Sequence, residues 1–318
     1  MIYKKYICVI LFLFLIGMGY SQQSPQVTHH MFSIMSYNPG FAGNKNAICA
    51  NGIIRQQWGG LIDNEENNVA PETFLFSINS PVKILKGGVS ANIIQDKLGF
   101  WKDIGLNIGY AYHLDIGGGN LGIGAQICFL NRTIDFSKFI SVETDPLLSS
   151  LSGEESDMMI DFSLGVFYHL PEQYYLGLSI TNLIQSPGKT LTEAGTPLRM
   201  KLARTFYLTG GYILSLPNHP SFTITPSFLI KSDGATMQYD ISSILTYNNK
   251  FWGGVSYRVL GDISILLGVY YKDFKIGYSY DIDTSVFGTN GSHEIMLGYC
   301  FKLKAERASK SYKNTRFL

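Results

Sequence analysis

Ser292 and His293 form the pair in this chain that most resembles a nucleophile beside its base. Adjacent residues on a strand point to opposite faces, so these two cannot share the hydrogen bond that activates a serine. No G-x-S-x-G turn occurs elsewhere to offer a second nucleophile. His29-His30 has no carboxylate or thiolate at ligand spacing and reads as polar structural residues instead of a metal site. The carboxylates between Asp63 and Glu66, and between Asp135 and Glu155, lack the spacing of an EF-hand loop and read as solvated faces. Gly117 to Gly119 has no phosphate-binding context and reads as a turn. The expectation is a protein with no catalytic residue, no metal and no cofactor.

The elements that would position side chains follow from composition. The chain has 318 residues, of which 46% are hydrophobic and only 15% charged, against a charged fraction of about 25% in soluble domains. A net charge of +1 gives no reason to expect nucleic acid as a partner. Lys4 and Lys5 precede the apolar run Tyr6 to Ile16, and Gly19-Tyr20-Ser21 then resembles a cleavage site, so residues 1–21 read as a signal peptide. Cys8 lies inside the apolar run, which argues against lipoprotein processing. No later segment approaches the ~18 to 20 apolar residues of a spanning helix. An exported membrane protein of this kind must therefore cross the bilayer with strands, and a secreted β-sandwich is the competing architecture.

From Ala47 onward, alternating stretches separated by turn signals recur fourteen times. The first is Ala47 to Trp58. The clearest, Trp101 to Leu114, sets Ile104, Leu106, Ile108, Tyr110 and Tyr112 against Gly105, Asn107, Gly109, Ala111 and His113. The last, Ser292 to Phe301, sets Ile295, Leu297, Tyr299 and Phe301 against Met296, Gly298 and Cys300. Connections after even-numbered stretches are short, and those after the first, fifth, seventh and thirteenth are long. A membrane barrel sorts its connections in this way and a sandwich has no reason to. The prediction is an all-β, transmembrane antiparallel β-barrel of about 14 strands over residues 47–302, in the bacterial outer membrane with both termini periplasmic. Pro226 should mark a bulge or weakly paired position, since proline cannot donate to the ladder.

Residues 22–46 precede the barrel and show no alternation, yet carry Phe32, Met35, Tyr37 and Phe41. Burying them inside the lumen as a plug avoids leaving them in water. Arg55, Lys231 and Arg258 fall on inward faces, where a charge is hydrated or paired, and structural pairing is the favoured role. Cys49 and Cys300 read as inward on the first and last strands, which must pair to close the ring; they should lie close together, with a disulfide disfavoured. The tail, residues 303–318, carries Lys304, Arg307, Lys310, Lys313 and Arg316 against Glu306 alone. It reads as either a solvated end or a periplasmic contact arm for an acidic partner.

Several segments also resemble a known family. They are Ser33-Ile34-Met35-Ser36-Tyr37-Asn38-Pro39-Gly40-Phe41-Ala42-Gly43, Arg55-Gln56-Gln57-Trp58, Phe76-Ser77-Ile78-Asn79-Ser80-Pro81, Gly109-Tyr110-Ala111-Tyr112, Asp240 with Phe251 to Arg258, Ile276 to Asp281, and Gly291 to Leu297. In this order the chain is similar to the PorP/SprF family of type IX secretion outer-membrane proteins. It departs from the family in having Gly40 where alanine is usual, and in its basic tail. The resemblance implies a barrel in outer-membrane lipid that serves type IX secretion and gliding. It also implies partners among other type IX secretion components in the periplasm, and a secreted, adhesin-like surface protein. Of the family's features only Tyr37, Asn38 and Pro39 carry over, as a plug element.

Two functions follow as expectations. The favoured one is a non-enzymatic barrel that docks partner proteins on both sides of the outer membrane. The alternative is an outer-membrane channel for passive or hydrophobic-solute uptake, similar to fatty-acid transporters.

Overall fold

A computed structural model describes residues 25–45, 47–61, 69–138, 153–193, 196–259, 261–284 and 290–302. Residues 1–21, expected to be a signal peptide, and the tail with Lys304, Arg307, Lys310, Lys313 and Arg316 lie outside these residues.

The alternation along the chain is realised as strands whose apolar face points outward. In chain order they are β1 (Ala47–Gln56), β2 (Glu72–Val82), β3 (Gly87–Leu98), β4 (Trp101–Ile116), β5 (Gly119–Asp135), β6 (Glu154–Leu170), β7 (Tyr174–Thr181), β8 (Pro187–Glu193) and β9 (Thr196–Lys201). They continue as β10 (Thr205–Tyr212), β11 (Leu214–Ser215), β12 (Phe222–Ser232), β13 (Met237–Tyr247), β14 (Phe251–Arg258), β15 (Asp262–Tyr271), β16 (Phe274–Asp283) and β17 (Ser292–Lys302). Strands β1 to β7, β10 and β12 to β17 pair antiparallel with both neighbours and form a closed barrel of fourteen. The ring closes where β1 meets β17, in register from Ala47↔Lys302 to Gln56↔His293. Closure is what the bilayer demands, because a backbone N–H or C=O left open in hydrocarbon costs several kcal/mol.

The closing strand shows the two faces. Ile295 and Leu297 are 56% and 52% exposed to the outside, while Met296 between them is fully buried. One end of the barrel, here the turn end, carries the short connections such as 117–118, 171–173 and 272–273. The opposite, loop end carries the long ones, 57–71, 136–153, 182–204 and 284–291.

Three details differ from or extend the expectations. The first strand stops at Gln56, because Trp58 takes a left-handed φ of 52° and turns the chain. The loop through Pro187 and Pro197 contains the β8–β9 hairpin outside the barrel ladder, which its prolines had disguised. Cys49 and Cys300 are disulfide-bonded, not merely neighbours, since they are directly opposed across the seam with Cα atoms 4.1 Å apart. Pro226 keeps its place opposite Ser243 in β13. On its other side the ladder is interrupted between Gly211↔Ser227 and Leu214↔Ile224, so the missing N–H is accommodated there.

Candidate functional site, the plugged lumen

Residues 25–45 run through the lumen. Three single-turn 3-10 helices, His30–Phe32, Ile34–Ser36 and Pro39–Phe41, shorten the rise per residue, so the segment fills the lumen with side chains instead of crossing it as an extended strand. Gln26 bonds to Asp240 at the loop end, whereas Gly43 meets Gly88 and Pro81 at the turn end. The described chain therefore starts at the end of the barrel opposite to Lys302. An even strand count fixes where β1 begins and β17 ends; it does not fix where a segment threaded through the lumen begins.

At the loop end the plug is held by charge. Arg55, 1% exposed, donates to Thr28 Oγ1 at 2.7 Å and to Glu294 at 3.3 Å, and also pairs with Asp281. Glu294 accepts the backbone N–H groups of Thr28 at 2.7 Å and His29 at 2.8 Å, and lies 2.6 Å from His29 Nδ1. Asp281 accepts from the Thr28 hydroxyl. Beside this set, Arg258 bridges Asp240 at 2.9 Å and Asp262 at 2.7 Å. Buried charges of this kind are tolerated only when paired and hydrogen-bonded, and here the plug supplies several of the donors.

Farther along, the plug is held by close backbone approach. Asn38, fully buried, donates to the carbonyls of Val166 and Leu178 and caps its own turn by accepting from Gly40 N at 2.9 Å. Asn51 and Asn92 donate to the carbonyls of Phe32 and Met35. His113 lies 2.8 Å from the Ala42 carbonyl. Pro39 and Gly40 lie against the bare backbone of β5: a Cβ at Gly124 would come 2.4 Å from Pro39, and one at Gly122 would come 2.1 Å from the Gly40 carbonyl. Gly40 itself has no room for a side chain, since its Cβ would stand 2.8 Å from the Gly122 carbonyl oxygen. That is a local reason for glycine at position 40.

The residues singled out in the sequence fall as follows. Tyr37, Asn38 and Pro39 are buried in the lumen, and the Tyr37 ring stacks on Tyr207 at 5.2 Å. Arg55, Lys231 and Arg258 all face inward; Arg55 and Arg258 join the loop-end charges, whereas Lys231 lines a cavity beside the plug. His29 and His30 are plug residues, His30 standing 2.9 Å from the Ser242 hydroxyl. Ser292 points inward and accepts from Trp58 N, while His293 points outward to the Tyr278 hydroxyl at 2.7 Å, so strand alternation separates them. Among the described residues no group of three His, Cys, Asp or Glu stands where it could hold a metal ion.

Sequence reasoning passed over the inward acids Glu294, Asp281, Asp262 and Asp161. Their signal was a carboxylate on the small-residue face of a strand, where it must find partners. Asp161, fully buried, accepts from the backbone N–H groups of Phe162, Ile184 and Ser186 at 2.7 to 2.9 Å and so fixes the start of the loop that carries β8 and β9.

A family model described as type IX secretion system membrane protein PorP/SprF matches residues 19–299. The chain belongs to the PorP/SprF family. Within this PorP/SprF chain the match spans the plug and the barrel as far as Tyr299 in β17. The toluene transporter TbuX of Ralstonia pickettii is a similar solved structure, at 13% identity and a TM-score of 0.52 over 86% of this chain and 93% of that one. The Pseudomonas putida toluene transporter TodX is similar at 10% identity and a TM-score of 0.49, over 90% and 96%. At 13% identity the likeness to TbuX speaks to the barrel fold alone. No curated protein matches the chain.

Proposed function

We propose that this PorP/SprF protein is a non-enzymatic outer-membrane barrel that docks other components of the type IX secretion machinery and helps export or anchor a secreted surface protein. In this reading the turn end faces the periplasm and the loop end faces outward, as short turns and long loops are arranged in outer-membrane barrels. The observation that supports it is the occupied lumen: a plug tied to the wall by buried ion pairs and close backbone contacts favours the two ends as working surfaces. Among the described residues the turn end is modestly basic: Lys83, Lys86, Lys250 and Lys272 stand in its turns with Glu172 and Asp273, and Ile84 is 94% exposed at the tip between the first two. The acidic-partner reading therefore rests chiefly on the basic tail that follows Lys302. Opposite charges of this kind steer and orient association.

The second reading, a channel for hydrophobic solutes, has one observation in its favour, a partly apolar cavity beside the plug. Native purification of the intact protein from outer membranes, with and without residues 303–318, separates the two. Secretion components should co-purify with the full chain and be reduced without the tail. Recovery of lipid alone, with no secretion component, would overturn the docking reading.

A further inference from the structure

The inward face of this barrel is mostly small and polar, interrupted by apolar groups such as Phe167, Tyr207 and Leu229 under Tyr37 and by a belt near the loop end. Just below the charged rim a belt of aliphatic side chains runs across neighbouring strands, with Met296, Ile53, Leu75 and Ile94 in successive register positions. Gly105 continues it on β4 and Leu130 on β5. The plug covers part of this belt: Val27 packs in one apolar cluster with Ile53, Leu75 and Met296, and Ile94 packs against that cluster. The remainder is uncovered and bounds a cavity of about 200 Å³, with Ile94, Leu130 and Leu229 on its walls.

The cavity is layered. Asp96, Asp103, Arg132 and Lys231 line it at the loop end, and Arg132 and Asp103 form a two-point ion pair at 2.8 and 2.6 Å. Beyond the apolar belt lie Asn107 and Gln126. Gln126 is 2% exposed and its carbonyl oxygen Oε1 has no hydrogen-bond partner within the protein, which places a buried acceptor at the base of the cavity. Gly105 holds space open: a Cβ there would meet nothing closer than 3.7 Å.

The plug itself shows how a peptide sits in such a site. Val27 enters the belt, the Gln26 side-chain amide bonds a rim carboxylate, and the next two backbone N–H groups bond Glu294. A charged rim, an apolar belt and an amide-lined base continue beside it, the rim carboxylates Asp103 and Asp96 accepting from Arg132 and from the Thr73 hydroxyl. We propose that this cavity receives an extended peptide segment of a partner protein, entering from the loop end with one aliphatic side chain in the belt and N–H donors on the rim carboxylates and Gln126. This inference rests on the docking reading and assigns its outward-facing half to a site inside the lumen mouth.

Cys128 lines the same cavity and is a free thiol, so it serves as a built-in reporter. The probe is a synthetic peptide of sequence Pro-Gln-Val-Thr-His-His-Met-Phe, that of residues 25–32, added to the purified full-length barrel in detergent. Peptide at about ten times its dissociation constant should slow alkylation of Cys128 by N-ethylmaleimide about tenfold, as expected when only the unbound barrel reacts. The same peptide with Asp in place of Val should not protect. Gly105→Leu, which fills the cavity, should abolish protection, and Leu130→Asn provides a second test if that variant folds poorly. Tail-dependent capture of secretion components should persist in both variants, which separates failure of this inference from failure of the docking reading. Absent protection in the native barrel, equal protection in Gly105→Leu, or protection by toluene but not by peptide would each overturn it.

Discussion

Cys49 and Cys300 are joined across the first and last strands of the barrel although 251 residues separate them in sequence. They can meet only when β1 and β17 pair, so the bond seals the one seam where the chain's own connectivity does not hold adjacent strands together. Closing a loop of this length is worth about 5 kcal/mol in the chain-entropy picture. Reduction, or the pair of substitutions Cys49→Ser and Cys300→Ser, should lower the temperature at which the detergent-solubilised barrel unfolds, read by its mobility shift on heating in SDS gels. A transition unchanged by reductant would show that the seam is held by its backbone ladder alone.

Glu294→Gln removes one of the carboxylates paired with Arg55 and weakens the acceptor for two plug amides. Leaving a buried guanidinium short of a partner costs about 3 kcal/mol. The expected outcome is a loosened plug in a barrel that still forms. Proteolysis should cut the 25–33 segment faster in the variant while the strands stay protected.

Gly124→Ala places a methyl group where Pro39 and Gly40 lie, and backbone atoms cannot yield as a flexible side chain can. The plug should be displaced from the turn end. In planar bilayers the variant should show higher ion conductance than the native protein; equal conductance would indicate that this contact does not seal the lumen. Gly40→Ala should act in the same direction.

Asp161→Ala removes the acceptor for Ile184 N and Ser186 N without touching the lipid face. Ile184 is exposed and Ser186 half-buried, so their amides can turn to water and each lost bond costs about 0.5 to 1.5 kcal/mol. The loop that carries β8 and β9 should become the first site of limited proteolysis, with barrel stability nearly unchanged. If cleavage there is no faster than in the native protein, other contacts hold the loop.

Much of this fold is written in local order. Period-two alternation, with Ile, Leu and Tyr set against Gly, Asn and Ser, specified each barrel strand and its outward face, because lipid on one side and a lumen on the other impose that pattern residue by residue. Turn residues at 117–118 and 272–273 fixed the short connections in the same local way. The family motif around Tyr37-Asn38-Pro39 and the lack of alternation before Ala47 were enough to expect a plug.

What the sequence could not express was which distant residues meet. Glu294, Asp281 and Arg55 read singly as misplaced charges; only closure of the ring brings them within hydrogen-bond reach of Thr28 and His29. The direction in which the plug threads, the bond between Cys49 and Cys300, and the uncovered part of the aliphatic belt follow from the same closure. Alternation sets the face of each strand, but the partners across a lumen are chosen by the register of all fourteen strands together.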